Sequence, residues 1–264
     1  MTDHVSTPSP SVEEHPSERY RFLPGKAPFA YGTAASPGYD LVGVTYPRPV
    51  ELRSGLAAAA RWLADSGHPS DALTTVVLRS PRRMTFEQFG DYNADYRRHL
   101  AELGIVADVA ALNPISRTHV VAEHGGVEAE SMLGFVAALP QVGARRSPAS
   151  FTVSAAAELR DGALSGDAIV RSGETSPDAM AEKAGYVLDV MTKRMTALGV
   201  GWKDVTAAGI YTLHPSNLWI EQVADRLGPA AIHGLRWYPS TPPVEGLEFE
   251  MDVRGMPVEQ IVDT

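Results

Sequence analysis

The stretch Gly67-His-Pro-Ser-Asp71-Ala-Leu73-Thr-Thr-Val-Val-Leu78 decides how the chain is read. Gly67 is placed to end a helix, because a residue without a Cβ enters the left-handed region at little steric cost. Upstream of it, Leu52, Leu56, Ala59, Ala60 and Leu63 recur at helical spacing. Downstream, the β-branched run 73–78 predicts a strand. The same punctuation returns at Gly199-Val-Gly-Trp-Lys-Asp204-Val205. Before it, Met180, Ala184, Val187, Leu188, Met191, Met195 and Leu198 share one helical face. After it, residues 205–213 predict a strand. Gly67 thus pairs with Gly199, and Asp71 with Asp204.

Working outward, residues 40–46 are extended, a second helix covers 85–103, and strands follow at 116–123 and 127–139. Gly125-Gly126 is expected to join those two strands as a tight hairpin turn. In the second half, strands are expected at 151–159, 168–172, 233–238 and 247–253, with a helix at 216–227. Both halves read strand, strand, helix, strand, helix, strand, strand. This order points to an internal duplication, against the alternative of two unrelated α+β domains. The expected division is a proline-dotted tail at 1–25, a first unit at 26–140, a linker at 141–150 and a second unit at 151–264. The Arg145-Arg146 pair falls in that linker and reads as a solvated turn. The expected fold class is α+β, each half a β-sheet with two helices on one face.

Composition removes several kinds of chemistry. The chain has 264 residues, 44% of them apolar, and no cysteine. Disulfides, thiolate metal sites and cysteine nucleophiles are therefore excluded. A formal charge of −9 argues against a nucleic-acid partner, because phosphate backbones are gripped by cations. The most apolar helical stretch, 56–64, is interrupted by Arg61 and too short for a bilayer. No membrane partner is expected, and a cytoplasmic location is. There is no G-x-S-x-G, H-E-x-x-H, G-x-G-x-x-G or G-x-x-x-x-G-K motif. His119 and His124 fall on opposite faces of an extended strand, so no shared metal is expected. No cofactor is called for.

Three stretches carry a family resemblance. They are Phe89-Gly-Asp-Tyr-Asn93-Ala-Asp-Tyr96, Asn113-Pro114-Ile-Ser-Arg117-Thr118-His-Val120, and Val127-Glu128-Ala-Glu130-Ser. They resemble the F-x-x-x-N-x-x-Y helix, the P-x-R-S/T-x-V strand and the closing V-E-I-E-A strand of the RidA (YjgF/YER057c/UK114) enamine/imine deaminases. Ala30-Tyr31-Gly-Thr-Ala34, Ser172-Gly173-Glu174 and Leu247-Glu248-Phe-Glu250-Met are weaker matches. The chain resembles a tandem member of that family, with chorismate-mutase-like units. The resemblance implies a homotrimer with pockets between units. It implies that Arg117 holds a substrate carboxylate with Asn93 nearby, and that Glu128 positions a water. Tyr31 or Ser172 would complete the pocket, and Tyr31 or His119 would assist proton transfer.

The residues by themselves leave alternatives open. An arginine in an apolar strand needs a partner. That partner is either a ligand carboxylate gripped by its planar fork or Glu128 or Glu130 across the hairpin. Those two glutamates share a strand face and read either as water-holding or as solvated. His119 shares a face with Arg117 and reads either as a proton relay or as a structural histidine. In the second half, His233 or Gly234 stands where the arginine is expected. That half is then either scaffold, or a different pocket built from His233, Trp237 and Glu248.

The function expected is hydrolytic deamination of a small carboxylate-bearing enamine or imine, of the 2-imino acid or 2-aminomuconate type, by a positioned water. The alternatives are a chorismatase-like enzyme and a non-catalytic ligand-binding or scaffold oligomer of the same fold.

Overall fold

The computed structural model describes residues 11–25, 28–143, 149–160 and 165–262. Arg145 and Arg146 lie outside them. The chain opens with four strands: β1 (Glu13–Glu14), β2 (Tyr20–Leu23), β3 (Gly32–Ala35) and β4 (Tyr39–Glu51). Next come α1 (Leu52–Asp65), β5 (Leu73–Ser80), α2 (Phe86–Glu102), β6 (Ser116–Ala122), β7 (Ser131–Pro140) and β8 (Phe151–Ala157). The remainder is α3 (Pro177–Ala197), β9 (Ala207–Tyr211), α4 (Asn217–Leu227), β10 (Arg236–Tyr238), β11 (Ser240–Thr241), β12 (Glu250–Gly255) and β13 (Val258–Ile261).

The helices end where local chemistry dictates. Thr85 and Gln88 close a reciprocal capping box at the start of α2. Ser176 caps α3, whose first residue is Pro177, where a missing N–H costs nothing. Gly67 and Gly199 follow α1 and α3 at φ 77° and 75°, as their spacing predicts.

The strands form two mixed sheets that trade segments between the halves. One sheet runs β1-β2-β3-β8-β12-β9-β10 and the other β11-β6-β5-β7-β4-β13. The tandem-unit expectation is corrected by this order. β3, from the first half, pairs with β8, while β11 and β13, from the second, pair with β6 and β4. Neither sheet is built from one half alone. Residues 11–25, read as tail, contain β1 and β2, and Tyr20 and Phe22 are buried between the sheets.

The Gly125-Gly126 hairpin is corrected as well. β5 lies between β6 and β7, parallel to the first and antiparallel to the second. The β5–β6 connection is the α2 crossover that parallel strands require. The strand expected at 168–172 reduces to one bridge, Leu159 to Ile169. The chain then turns at Arg171 (φ 48°) and Gly173 (φ 76°). The strand expected at 233–238 begins only at Arg236, because Gly228–His233 forms a 3₁₀ turn started by Pro229.

Helices α1 and α2 bury Leu56, Leu63, Tyr96 and Leu100 on one face of the six-stranded sheet. Helices α3 and α4 bury Met180, Leu188, Met191 and Trp219 on the seven-stranded sheet. The free faces of the two sheets meet. Part of that contact is apolar, with Tyr20, Phe22, Leu41 and Val136. Part is a hydroxyl chain: Thr33 to Thr152 and Thr75 to Thr152 at 2.8 Å each, and Thr75 to Ser116 at 2.6 Å. Buried hydroxyls need partners, so this chain fixes the relative placement of the sheets along β6. No helix among the described residues is long and apolar enough to cross a membrane.

Candidate active site

Strand β6 carries the site. Its side chains alternate. Thr118 faces the other sheet and donates to Asp252 Oδ2 at 2.5 Å. Arg117 and His119 face α2. On that helix Phe89, Tyr92, Asn93 and Tyr96 follow i, i+3, i+4, i+7 spacing and form one stripe above the strand.

Arg117 is only 2% exposed. Its Nη2 donates to Asn93 Oδ1 at 2.9 Å, and its Nη1 has no partner among the described residues. Four aromatic rings surround the guanidinium carbon: Phe29 at 4.4 Å, Tyr96 at 5.0 Å, Phe89 at 5.4 Å and Tyr92 at 5.6 Å. No carboxylate pairs with it among the described residues. The internal pairing with Glu128 or Glu130 is therefore not made. The Tyr92 and Tyr96 hydroxyls are buried and likewise have no partner among the described residues. Burial, the leading cause, pushes both phenols well above their ordinary range, so both remain donors.

His119 lies 4.9 Å from the Tyr92 ring. Its Nε2 is 2.8 Å from Ser80 Oγ and 3.1 Å from Glu130 Oε2. Ser80 Oγ in turn donates to Glu130 Oε1 at 2.5 Å. Burial pushes the imidazole down to about 4, against the opposing pull of Glu130. The ring is therefore neutral at physiological pH. Because a carboxylate only accepts, the neutral ring carries its proton on Nε2, and its Nδ1 is left buried without a partner among the described residues.

A cleft of about 320 Å³ opens where β5 and β6 end. It is lined by Arg79, Ser80, His124, Leu133, Tyr238 and Ser240 among others. The second half supplies one wall. β10 runs beside β9 in the seven-stranded sheet, and β11 crosses to pair with β6. Tyr238 is fixed there by stacking on Tyr211 at 5.2 Å.

The other sequence candidates are dispersed. Glu128 is exposed in the loop before β7. Tyr31 turns away from Arg117, its ring 4.2 Å from the Arg194 guanidinium carbon. Ser172 is exposed in the turn ahead of α3. His233 is exposed at the end of its 3₁₀ turn. Trp237 Nε1 donates to the Thr212 carbonyl, and its ring packs edge-on against Trp219. Glu248 is held by Arg83 at 3.2 Å and His214 at 3.1 Å. His233, Trp237 and Glu248 thus have separate surroundings rather than one pocket. Sequence reasoning missed Ser80, Arg79 and Tyr92. No three His, Asp or Glu side chains converge as a metal site among the described residues.

The model of the 2-aminomuconate deaminase CnbZ family matches residues 12–260, and the chain belongs to that family. It is a hydrolytic deaminase, acting on a C–N bond. One relative, the 2-amino-5-chloromuconate deaminase of Comamonas testosteroni, is 34% identical over 244 residues, covering 92% of this chain and 96% of the relative. The resemblance to the RidA family is overturned by this family match. Its three stretches are short: two encode an arginine strand beneath an aromatic helix face, and the third is the loop that enters β7. The trimer implied by that resemblance has no other observation behind it.

Among solved structures, a chorismatase aligns with a TM-score of 0.44 at 15% identity, over 89% of this chain and 80% of that one. A cyanuric acid hydrolase aligns with a TM-score of 0.38 at 13% identity, over 85% of this chain and 69% of that one. At these values neither likeness carries a functional argument.

Proposed function

We propose that the chain hydrolyses the C–N bond of a 2-aminomuconate-type enamine at the group Ser80, His119 and Glu130, using a water that Glu130 orients. The family description and the relative's name support the substrate class. The observation that carries the mechanism is the Glu130 carboxylate held from two sides, by Ser80 and by a neutral His119. Fixed donors leave a carboxylate oriented and ready to accept a proton, which is the requirement for a general base.

The steps balance. A proton moves from the amino nitrogen to carbon, giving the imine tautomer. Water adds to the imine carbon, its oxygen bonding there while Glu130 takes one proton. That proton passes to nitrogen, giving a carbinolamine; Glu130 then carries the hydroxyl proton to nitrogen as well, the C–N bond breaks as C=O forms, and ammonia leaves a 2-oxo acid. The carboxylate beside the reacting carbon goes to Arg117 Nη1 and the Tyr92 and Tyr96 hydroxyls, three buried donors with no partner among the described residues. Asn93 holds the guanidinium in plane. Placing substrate and water together supplies much of the acceleration, because the imine is already electrophilic.

The test is ammonia release and 2-oxo acid formation from 2-aminomuconate. Glu130→Gln is expected to lower kcat by about 10²–10⁴, the range of a lost general base. Glu128→Gln is expected to leave it within about twofold, as for a solvated loop residue. A fall at Glu128 with none at Glu130 would return the water to Glu128.

A further inference from the structure

Two buried acids take no part in the chemistry above. Glu250 and Asp252 alternate on β12 with Met251 and Val253, which belong to the core under α3 and α4. Both carboxyls therefore face the six-stranded sheet, at 6% and 4% exposure. Two residues apart on one face, their Cα atoms lie roughly 7 Å from each other. Asp252 Oδ2 accepts from Thr118 Oγ1 at 2.5 Å and from Tyr211 Oη at 3.1 Å, and Arg254 Nη2 stands 3.8 Å away. Asp252 Oδ1 and Glu250 Oε2 have no partner among the described residues. Gly209, which pairs with Asp252 on β9, makes room for this seat, because a Cβ there would collide with Asp252 Oδ1 and Tyr211 Oη.

Two carboxylates buried this close cannot both be charged cheaply. Asp252 has two donors and a nearby cation, so the charge rests on it. Burial is the leading cause that pushes the Glu250 carboxyl well up, and the Asp252 charge adds to it. Of the other charged groups within reach, Glu158 after β8 pushes the same way, while Arg117 on β6 and Arg79 on β5 oppose. Arg194 on α3 also feels the Glu250 charge, and Tyr211 on β9 is its strand neighbour. We infer that Glu250 and Asp252 share one proton and that the pair positions β6 by holding Thr118. A shared proton gives a partner to both orphaned oxygens, which buried polar atoms require. β6 needs such a hold. β5 pairs along one side of it, but on the other β11 covers only Val121 and Ala122. Ahead of them, β6 is tied to the seven-stranded sheet by Ser154 Oγ, which accepts the Arg117 N–H at 3.0 Å, and by Asp252. Thr118 lies between Arg117 and His119, so fixing it fixes both neighbours on the opposite face. This positioning role rests on the reading that Arg117, His119 and Glu130 serve the reaction.

The proton is read at neutral pH as the C=O stretch of an un-ionised carboxyl in the infrared difference between the native chain and Glu250→Gln. That band is expected, and an ionised-carboxylate band in its place overturns the pair. The positioning is read from three variants. Thr118→Val cuts the tie and keeps the shape. Thr118→Ser restores the donor. Tyr211→Phe removes the other donor to the same carboxylate without touching β6. Thr118→Val is expected to lower kcat/KM for 2-aminomuconate by about ten- to a hundredfold, the scale of a site misplaced by about 1 Å, and to shift the His119 ring N–H resonance. Thr118→Ser recovers most of the activity. Tyr211→Phe keeps both readouts near native although it too lowers the melting temperature. Equal losses from Thr118→Val and Tyr211→Phe mark lost stability alone and overturn the positioning role, as does native activity in Thr118→Val. Should Thr118→Val not fold, Asp252→Asn takes its place on the same criterion. It keeps an acceptor of that shape without the charge, so a smaller loss is expected. No ammonia release by the native chain sinks the reaction proposed above, whereas the infrared band and the His119 resonance judge the pair without it.

Discussion

Replacing Lys183 with Met tests the physics that holds the second half to the site. Lys183 on α3 and Glu158 just after β8 are both fully buried, 3.1 Å apart. Glu158 also accepts the backbone N–H of Glu248 at 2.7 Å and of Phe249 at 3.1 Å. Lys183 donates to the Val170 carbonyl at 2.7 Å. Glu158 thereby anchors the segment from which Glu248 reaches Arg83 and His214. Lys183→Met removes the charge and the donor but keeps most of the volume. Breaking a buried pair from one side costs about 3–5 kcal/mol, because the remaining charge is uncompensated. That is a large part of the roughly 5–15 kcal/mol by which a domain is stable.

The cost has a signature that lost packing lacks. Burial already pushes the Glu158 carboxyl up, with the Lys183 charge the largest opposing influence. Without Lys183 the folded carboxyl moves further up while the unfolded one stays ordinary. The folded state then binds more protons than the unfolded state, so stability falls as pH rises. The slope is at most about 1.4 kcal/mol per pH unit. Urea unfolding from about pH 6 to about pH 8 is expected to show Lys183→Met losing up to about 3 kcal/mol relative to the native chain. The double variant Lys183→Met with Glu158→Gln should lose the slope. A cost below about 1 kcal/mol, or one flat with pH, would refute the argument.

Two further outcomes follow from the fold around the site. Unfolded His119 takes its proton near its ordinary value and the folded ring only near about 4. The unfolded state therefore binds more protons in between, and stability drops as pH falls through that window, by about 3 kcal/mol at most; His119→Gln should flatten that part of the urea-derived profile. A Cβ at Gly134 would collide with the Val44 carbonyl oxygen on the neighbouring strand, so Gly134→Ala is expected to cost about 1–3 kcal/mol or more in a thermal melt.

The elements were largely legible and their partners were not. Helical spacing placed the second helix at 85–103, and α2 spans Phe86–Glu102. Periodicity says that a segment is a strand and which face it buries, but not beside which strand it lies. Hence β6 and β7 read as a hairpin although β5 separates them. The repeated order read from the sequence breaks at 168–172, where a strand reduces to one bridge, and it does not reveal that β3 and β11 cross between the halves. The N-terminal residues failed for another reason. Prolines and charges around Tyr20 and Phe22 conceal a short apolar alternation that only the second sheet rewards.

The site divides along the same line. That Asn93, Arg117 and His119 lie together was legible because each sits in a segment whose helix or strand fixes its direction. Ser80 and Glu130 were harder to find. One is a plain strand-end serine, and the other lies in the loop that the false hairpin turned into strand. Their meaning comes from the parallel β5–β6 pairing, which sets Ser80 beside His119. Parallel pairing arises through a crossover helix, so no local sequence signal announces it. The cleft at the ends of β5 and β6 likewise needs Tyr238, which arrives from the other half to wall it. The β10–β11 crossing that disproves separate tandem units is therefore also what encloses the cleft at the ends of β5 and β6.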